Sequence, residues 1–389
     1  MSAGDDARPP PLARIPPQIA CAADYEPFAR ERVDPAAWAY LDGAAGDGTS
    51  ARDNREAFAR IRLRNRVLAE LSGGDTRVEL FGDTLDFPIL LAPVARQKLA
   101  HPDGELASAL GASAMRAAMV VSTEASTTLE DVARAAQAPL WFQLYFRHDR
   151  AFTLDLVRRA EAAGYRALVL TVDAPVIGMR NLALPLGAEA ANLRGHAPPP
   201  PFEVRPGQSL FDSLLLTQAP TWRDVEWLRA QTALPLLLKG ITHPHDARRA
   251  LDAGAAGIVV SNHGGRVLDT QVATIDALPA IADAVQGRVP LLLDGGIRRG
   301  SDAFKAIALG ASAVLVGRPY LHALAAAGAP GVAHVLHLLR IELETTMALC
   351  GCRTLADIDG SALFPRGAWN PSSRTPRTAS TDHPARPIA

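Results

Sequence analysis

The sequence predicts an α/β fold of the TIM (β/α)₈ barrel type. Eight short apolar segments alternate with segments of helical periodicity across residues 88–318. The apolar segments are continuous rather than alternating, which is typical of parallel strands buried on both faces. An alternation of eight strands and helices over this length fits a barrel, for which about 250 residues are usual.

A doubly wound sheet is the alternative α/β arrangement. Its dinucleotide-binding type carries a G-x-G-x-x-G motif after the first strand, and the sequence has neither this motif nor a Walker A motif. Thr127 and Glu130 have the spacing of a capping box before the helical segment LEDVARAAQ. The predicted strands are PILLAP (88–93), MVVS (119–122), LWFQLY (140–145), ALVLTVD (167–173), LPLLLKG (234–240), GIVVSN (257–262), PLLLDGG (290–296) and AVLVGR (313–318).

One domain is predicted over residues 22–359, with an N-terminal helical segment before a barrel at about 88–350. Residues 183–220 are predicted to be a long variable loop after the fourth strand. This loop is too long for an ordinary connection, so it is either a functional lid or disordered. The proline-rich residues 1–21 and the aperiodic residues 360–389 are predicted to be disordered.

The composition excludes several classes of protein. A net charge of -1 lacks the basic excess of nucleic-acid binders. Three cysteines are too few for a disulfide framework and predict a reducing, cytoplasmic location. No secretory signal and no apolar run of about 18 residues is found, so no membrane span is expected. Cys350 and Cys352 lack a second pair of suitable ligands, so no metal is expected.

Polar residues follow the predicted strands, where barrel enzymes carry their active sites. His263 follows the sixth strand and Asp173 ends the fourth, and a histidine oriented by a carboxylate is a general-base arrangement. Lys239 ends an apolar strand, where an unpaired ammonium group is costly. It predicts either a Schiff base or a partner for a developing anion. Arg266 is suited to hold a carboxylate through two parallel hydrogen bonds.

The last two strands indicate a phosphate site. DGGIRRG (294–300) precedes a helix and GR (317–318) follows the eighth strand, so both supply backbone N–H groups and arginines. Barrels often bind phosphate at this position. The alternative is that both segments are loop turns with solvated arginines.

The segment SNHGGRVLD (261–269) resembles the FMN-dependent α-hydroxy-acid oxidising family, which includes glycolate oxidase, lactate oxidase and mandelate dehydrogenase. The similarity covers roughly residues 22–356. The other supporting segments are YLDGAAGD (40–47), PILLAPVARQKLAHPDGE (88–105), FQLY (142–145), LTVDAP (170–175), LLLKG (236–240), LLLDGGIRRGSDAFKAIALGA (291–311), VGRP (316–319) and ELETTMALCG (342–351).

The resemblance implies FMN-dependent oxidation of an L-2-hydroxy acid to a 2-keto acid. It implies that His263 is the base, that Asp173 stabilises its imidazolium, and that Lys239 stabilises the reduced flavin. His263 takes either the α-proton or the hydroxyl proton, and the sequence does not separate these routes. The substrate contacts that the resemblance implies are Tyr40, Tyr145, Arg180, His263 and Arg266. The implied FMN contacts are Ala95, Ser122, Gln143, Thr171, Lys239, Ser261, Asp294, Gly296, Arg298, Gly317 and Arg318.

Glu124 departs from the family pattern, because relatives place an aromatic or small apolar residue beside the substrate side chain. One hypothesis is a substrate with a polar or cationic end. The alternative is that Glu124 pairs with a nearby cation, for which Arg96 is the candidate.

The partners are predicted at the level of class. The electron acceptor is oxygen, a quinone or a cytochrome, and the resemblance implies a homotetramer. A family member that acts on a larger hydroxy-acid-like or peptide substrate with the same flavin chemistry is the alternative function.

Overall fold

A computed structural model describes most of the 389-residue chain. Arg180 and most of the predicted lid loop 183–220 lie outside the described residues, so the structure does not place them. The described residues are 8–147, 149–175, 189–196, 207, 209–213, 216 and 218–364.

The eight predicted strands all occur and form a closed parallel barrel, so the α/β barrel prediction is confirmed and the doubly wound alternative is wrong. Each strand pairs with the next in chain order, and the last pairs with the first. The barrel strands are β4 (Ile89–Leu91), β5 (Met119–Ser122), β6 (Leu140–Leu144), β7 (Leu168–Thr171), β8 (Leu236–Ile241), β9 (Gly257–Val260), β10 (Leu291–Leu293) and β11 (Ala313–Val316).

Alternate residues of each strand point into two cores. Leu90, Val169 and Leu292 belong to a cluster inside the barrel, whereas Ile89 and Leu91 pack outward against the helices. An antiparallel hairpin of β2 (Val78–Leu80) and β3 (Asp83–Leu85) contributes Leu80 and Leu85 to the inner cluster. Strand β1 (Arg62–Leu63) precedes this hairpin.

Among the described residues, three α-helices precede the barrel, as predicted for an N-terminal helical segment, and the other α-helices surround it. The helix that follows β5 begins after Thr128, whose hydroxyl accepts a hydrogen bond from Asp131 N. The predicted capping box of Thr127 and Glu130 does not form, because the helix begins one residue later and the Thr127 hydroxyl donates to Glu105. The α-helices are Tyr25–Arg32, Pro35–Asp42, Thr49–Arg60, Gly104–Ala114, Leu129–Ala135, Arg150–Ala162, Trp222–Arg229, Pro244–Asp252, Thr274–Val285, Gly300–Ala308 and Arg318–Cys350.

The helix Arg318–Cys350 is interrupted at Ala327 and Gly328, which have non-helical backbone angles. Within the described residues it is the one helix that is long and apolar enough to cross a membrane, with a mean hydropathy of 1.3. It packs against Gly104–Ala114 and Tyr25–Arg32, and 56% of its most apolar window is buried. A buried core helix can have the same length and the same apolar composition as a membrane-spanning helix.

The folded domain extends beyond both predicted boundaries. At the N-terminal side, Ile19 is buried and Leu12 N donates a hydrogen bond to Ala326 O. At the C-terminal side, β12 (Leu363–Phe364) pairs antiparallel with β1. The predicted limits at residues 22 and 359 are therefore too narrow, because segments this short carry no periodicity that the sequence would reveal.

Candidate active site

The ends of β7 and β9 bring Asp173 and His263 together. His263 Nδ1 lies 3.0 Å from Asp173 Oδ1, and the Asp173 side chain is 8% exposed. Burial acts to raise the pKa of Asp173, but His263 and then Lys239 outweigh burial and hold this pKa below its usual value. Asp173 is therefore a carboxylate that accepts from His263, which places the proton of the neutral ring on Nδ1.

The backbone near the end of β8 makes room for Asp173. Gly240 has a φ of +113°, and a Cβ on Gly240 would lie 2.5 Å from Asp173 Cβ. Glycine is required at this position by both the backbone angle and the close approach.

Lys239 lies on the inner face of the same strand end. Its ammonium nitrogen is 3.0 Å from Asp294 Oδ2 and donates to Ser261 Oγ at 3.0 Å. Burial acts to lower the pKa of Lys239, but Asp294 and Asp173 outweigh burial and raise it. Lys239 is therefore a cation, and this protonation argues against a Schiff-base role for it.

A second polar network joins the ends of β5, β6 and β7. Gln143 Oε1 accepts from Ser122 Oγ and Thr123 N, and Gln143 Nε2 donates to Thr171 Oγ1 at 3.0 Å. All four residues are buried. The network fixes the orientation of the Gln143 amide at the mouth of the barrel. Ala95, which follows β4, is half-buried.

Two arginines, Arg298 and Arg318, follow β10 and β11, where the sequence predicts a phosphate site. Burial, followed by repulsion from Arg318 and Arg55, lowers the pKa of Arg298 to about 10. Arg318 donates to Gly264 O and Gly43 O. Its buried Nε lies 3.4 Å from Asp42 Oδ1 and makes no hydrogen bond among the described residues. Crowded arginines of this kind are suited to binding an anion.

Glycines shape the same end of the barrel. Gly296 has a φ of +96°, and a Cβ there would lie 2.3 Å from Asn54 O. Gly317 is open, since a Cβ would come no closer than 4.0 Å to a neighbour. Sequence reasoning missed Asn54, which exchanges two hydrogen bonds with Asn262 at 2.8 and 2.9 Å. These bonds attach the N-terminal helix Thr49–Arg60 to the barrel mouth.

Arg266 and Tyr40 lie together at the barrel mouth. Arg266 donates to Tyr40 O, Leu41 O and Gly43 O, and its guanidinium carbon lies 5.8 Å from the centre of the Tyr40 ring. The carbonyls at the end of the helix Pro35–Asp42 thus hold Arg266 in place. The structure therefore brings these two residues, both predicted to bind the substrate, into contact.

Glu124 forms an ion pair with Arg96, which is the alternative that the sequence left open. Arg96 Nη1 also donates to Tyr40 OH at 3.3 Å. Because the Glu124 carboxylate is occupied by Arg96, the hypothesis that it awaits a cationic substrate loses its basis. Sequence reasoning missed Arg147, which lies within electrostatic reach of Glu124, Arg96 and Tyr145.

Tyr145 and Arg147 line a cavity of about 910 Å³ at the C-terminal ends of β6, β7 and β8. Thr171 and Gly240 line it as well, so the cavity is continuous with the polar groups described above. Within the described residues, no cluster of three metal-binding side chains is found. Cys350 and Cys352 are buried in the core, away from this mouth.

The residues present fit FMN. The crowded Arg298 and Arg318 could hold a phosphate, and Lys239 offers a cation to a flavin ring that gains negative charge. Asp294 Oδ1 is buried and, in the described part of the chain, makes no hydrogen bond, so it is available to a hydroxyl donor. Ser122, Gln143, Thr171 and Ser261 could complete the polar lining around the ring.

Known proteins are similar to this chain in sequence and in fold. The model of the FMN-dependent dehydrogenase family matches residues 29–365. An L-lactate oxidase of Alicycliphilus denitrificans is 48% identical over 361 residues, covering 91% of this chain and 99% of the relative. A peroxisomal (S)-2-hydroxy-acid oxidase of Oryza sativa subsp. japonica is 44% identical, covering 88% of this chain and 95% of the relative.

Solved structures give the same result. A crystal structure of mandelate oxidase with (S)-2-phenylpropionate has a TM-score of 0.78 and 44% identity, covering 89% of this chain and 98% of that chain. The closed barrel thus agrees with the family match. The chain belongs to the FMN-dependent dehydrogenase family of hydroxy-acid oxidases, and it is an FMN enzyme that oxidises the CH–OH group of 2-hydroxy acids.

Proposed function

We propose that this enzyme oxidises L-2-hydroxy acids with His263 as the base and oxygen as the electron acceptor. The observation that carries the proposal is the pair of His263 and Asp173, held 3.0 Å apart beside the cation Lys239. Relatives described as L-lactate oxidase and (S)-2-hydroxy-acid oxidase support the L configuration and the oxidase reaction.

Each polar group of the site has a proposed role in the reaction. Asp173 binds Nδ1 of His263, so Nε2 is the nitrogen that accepts the substrate proton. The Asp173 carboxylate then stabilises the imidazolium, as a buried carboxylate does next to a histidine base. Bound FMN supplies the oxidising chemistry by accepting two electrons from the substrate.

The remaining groups bind and orient the acid. Arg266, fixed by three carbonyls, is placed to bind the substrate carboxylate, and Tyr40 lies against it. Tyr145 lines the cavity, where its hydroxyl would hydrogen-bond the substrate hydroxyl. The proposal retains Arg180 as a second carboxylate ligand on the resemblance alone.

The test is anaerobic mixing of the purified FMN enzyme with L- and D-2-hydroxy acids while the flavin absorbance is recorded. Bleaching by L acids and not by D acids supports the proposal. Absence of bleaching by every acid, with FMN bound, contradicts it and favours the larger hydroxy-acid-like or peptide substrate.

A second step tests the acceptor. Air is admitted to the reduced enzyme, and reoxidation with formation of hydrogen peroxide is expected. Slow reoxidation in air, with rapid reoxidation by a quinone or a cytochrome, would instead identify a dehydrogenase.

We also infer a homotetramer and a cytoplasmic location. The tetramer is supported by the family resemblance, and light scattering on the purified enzyme should give the mass of four chains. The location is supported by the three free cysteines Cys21, Cys350 and Cys352. Fractionation of the source cells tests it.

A further inference from the structure

One wall of the active site carries charges that the oxidation itself does not require. The outer wall is defined as Arg96, Glu124 and Arg147, three charged residues within electrostatic reach of one another beside Tyr40 and Tyr145. Arg96 contacts Tyr40 and pairs with Glu124, whereas Arg147 lines the cavity together with Tyr145. The outer wall therefore lies next to Tyr40 and Tyr145, the two tyrosines assigned to the substrate.

The outer wall has more positive than negative charge. Two guanidinium groups face one carboxylate, and Arg96 already takes that carboxylate in a direct ion pair. Glu124 acts on Arg147 through space, but the guanidinium of Arg147 makes no hydrogen bond and no ion pair within the described residues. The three groups together leave one net positive charge, located on Arg147.

The surroundings of Arg147 disfavour this charge. Burial lowers the pKa of Arg147, and nearby Arg96 lowers it further, against the opposing effect of Glu124 and Tyr145. Arginine nevertheless stays protonated in proteins. A partly buried cation without a partner is costly, so the site is more favourable when an anion enters next to Arg147.

The position of Arg147 indicates which anion this is. Tyr145 and Arg147 are two residues apart after β6 and line the same cavity, so a molecule that binds Tyr145 is within reach of Arg147. The substrate's own 2-carboxylate is assigned to a different arginine, Arg266, which lies against Tyr40. A second acidic group on the same molecule would fit Arg147.

We propose that the outer wall selects 2-hydroxy acids that carry a second carboxylate at their far end, and that Arg147 binds this carboxylate. The inference rests on the proposed function and narrows its substrate class to 2-hydroxy dicarboxylic acids. The far end of the proposed substrate is anionic rather than cationic, because the ion pair with Arg96 removes Glu124 as a binding group. Arg147 acts on specificity and takes no part in proton transfer.

The experiment compares two substrates that differ only in the distal charge. The FMN enzyme is mixed anaerobically with L-2-hydroxyglutarate, or with the same acid whose distal carboxylate is a primary amide. We expect the dicarboxylate to be favoured in kcat/KM by about tenfold to a hundredfold, the range for a charge-assisted hydrogen bond. The substitution Arg147→Gln should remove this preference, mainly through KM, and Arg147→Lys should restore part of it.

A matched control is available in Arg150. This arginine lines the same cavity but pairs with Asp224, so Arg150→Gln should leave the preference unchanged. Turnover of the amide substrate is the control for misfolding of a variant, because a folding defect would lower the turnover of both substrates equally. Equal use of both substrates by the unmodified enzyme, or a preference that survives Arg147→Gln, overturns the inference.

Failure of the inference and failure of the proposed function give different results. Bleaching by L-lactate or L-mandelate without a preference for the dicarboxylate overturns the inference alone. If no 2-hydroxy acid bleaches the flavin, calorimetric binding of glutarate and of its monoamide still tests Arg147. Tighter binding of glutarate that is lost in Arg147→Gln supports the inference, and equal binding overturns it.

Discussion

The centre of the active site and its phosphate end differ in how their charged side chains are arranged. At the centre, Lys239 is matched by Asp294 and Asp173, and the latter also binds His263. At the phosphate end, Arg298, Arg318 and Arg55 repel one another, and the pKa values of Arg298 and Arg318 are lowered.

This difference separates two kinds of task. Where buried charges are paired, Asp173 stays ionised and Lys239 stays protonated, which fixes the charges around the histidine that is proposed to take the substrate proton. Where buried cations crowd together, the protein alone is electrostatically unfavourable and an incoming anion relieves the repulsion. Arg147 at the outer wall belongs to the second kind, since it is also a partly buried cation with a lowered pKa.

The largest effect is expected from His263→Gln at the centre. Glutamine keeps a polar side chain but cannot accept the substrate proton, so flavin reduction should slow by about 10²- to 10⁴-fold. Stopped-flow absorbance measures this rate, and the exposed His337 provides the control variant His337→Gln. A loss below about tenfold would show that the paired centre is not where the proton is taken.

The next largest effect is expected from Arg298→Gln at the phosphate end. FMN affinity should fall by about tenfold to a hundredfold, because one charge-assisted hydrogen bond is lost. The melting temperature of the FMN-free protein should not fall, since repulsion with Arg318 is removed. Titration of the FMN-free protein with FMN measures the affinity.

The neighbouring Arg299 gives a control for this variant. It is half-exposed and lies next to Glu342, so Arg299→Gln should leave FMN affinity unchanged. Equal losses of affinity in both variants would mean that the crowding at Arg298 has no special role.

A smaller effect is expected from Gly240→Ala. The new methyl group would meet Asp173 at 2.5 Å, so it should displace the carboxylate and destabilise the fold by about 1–3 kcal/mol. Melting temperature and kcat should fall together. Gly287 has a φ of +70°, and a methyl group added there would meet no atom within 4 Å, so Gly287→Ala should lower stability without lowering kcat.

The smallest effect is expected from Glu124→Gln. It removes the partner of Arg96 and makes the outer wall more positive, which should raise the preference for a 2-hydroxy dicarboxylic acid by at most about fivefold. Competition between the dicarboxylate and its amide measures the change. A lower preference, or a loss of turnover confined to substrates with an amine, would return Glu124 to the role of a substrate ligand.

The barrel could be predicted from sequence because its strands are buried on both faces. Each strand therefore appears as a continuous apolar run, as PILLAP and AVLVGR do. The hairpin Val78–Leu80 with Asp83–Leu85 and the pairing of Leu63 with Leu363 were not predicted. Their strands are two or three residues long, which is too short for a periodic pattern.

The central residues of the site were also predictable, because a polar residue at the end of an apolar strand is conspicuous. Lys239, Asp173 and His263 were identified in this way, and the structure brings them together. Arg147 was missed because it lies among other charged residues after β6, where a solvated side chain is the usual interpretation. Asn54 was missed because its partner Asn262 is 208 residues away.

The sequence by itself determined the strand order, the polar strand ends and the family. It did so because burial of strands and exposure of their ends are local properties that composition records. Only the tertiary structure decided that Glu124 pairs with Arg96 and that Arg147 is left without a partner among the described residues. Charge pairing depends on distances between separate loops, and a sequence contains no such distances.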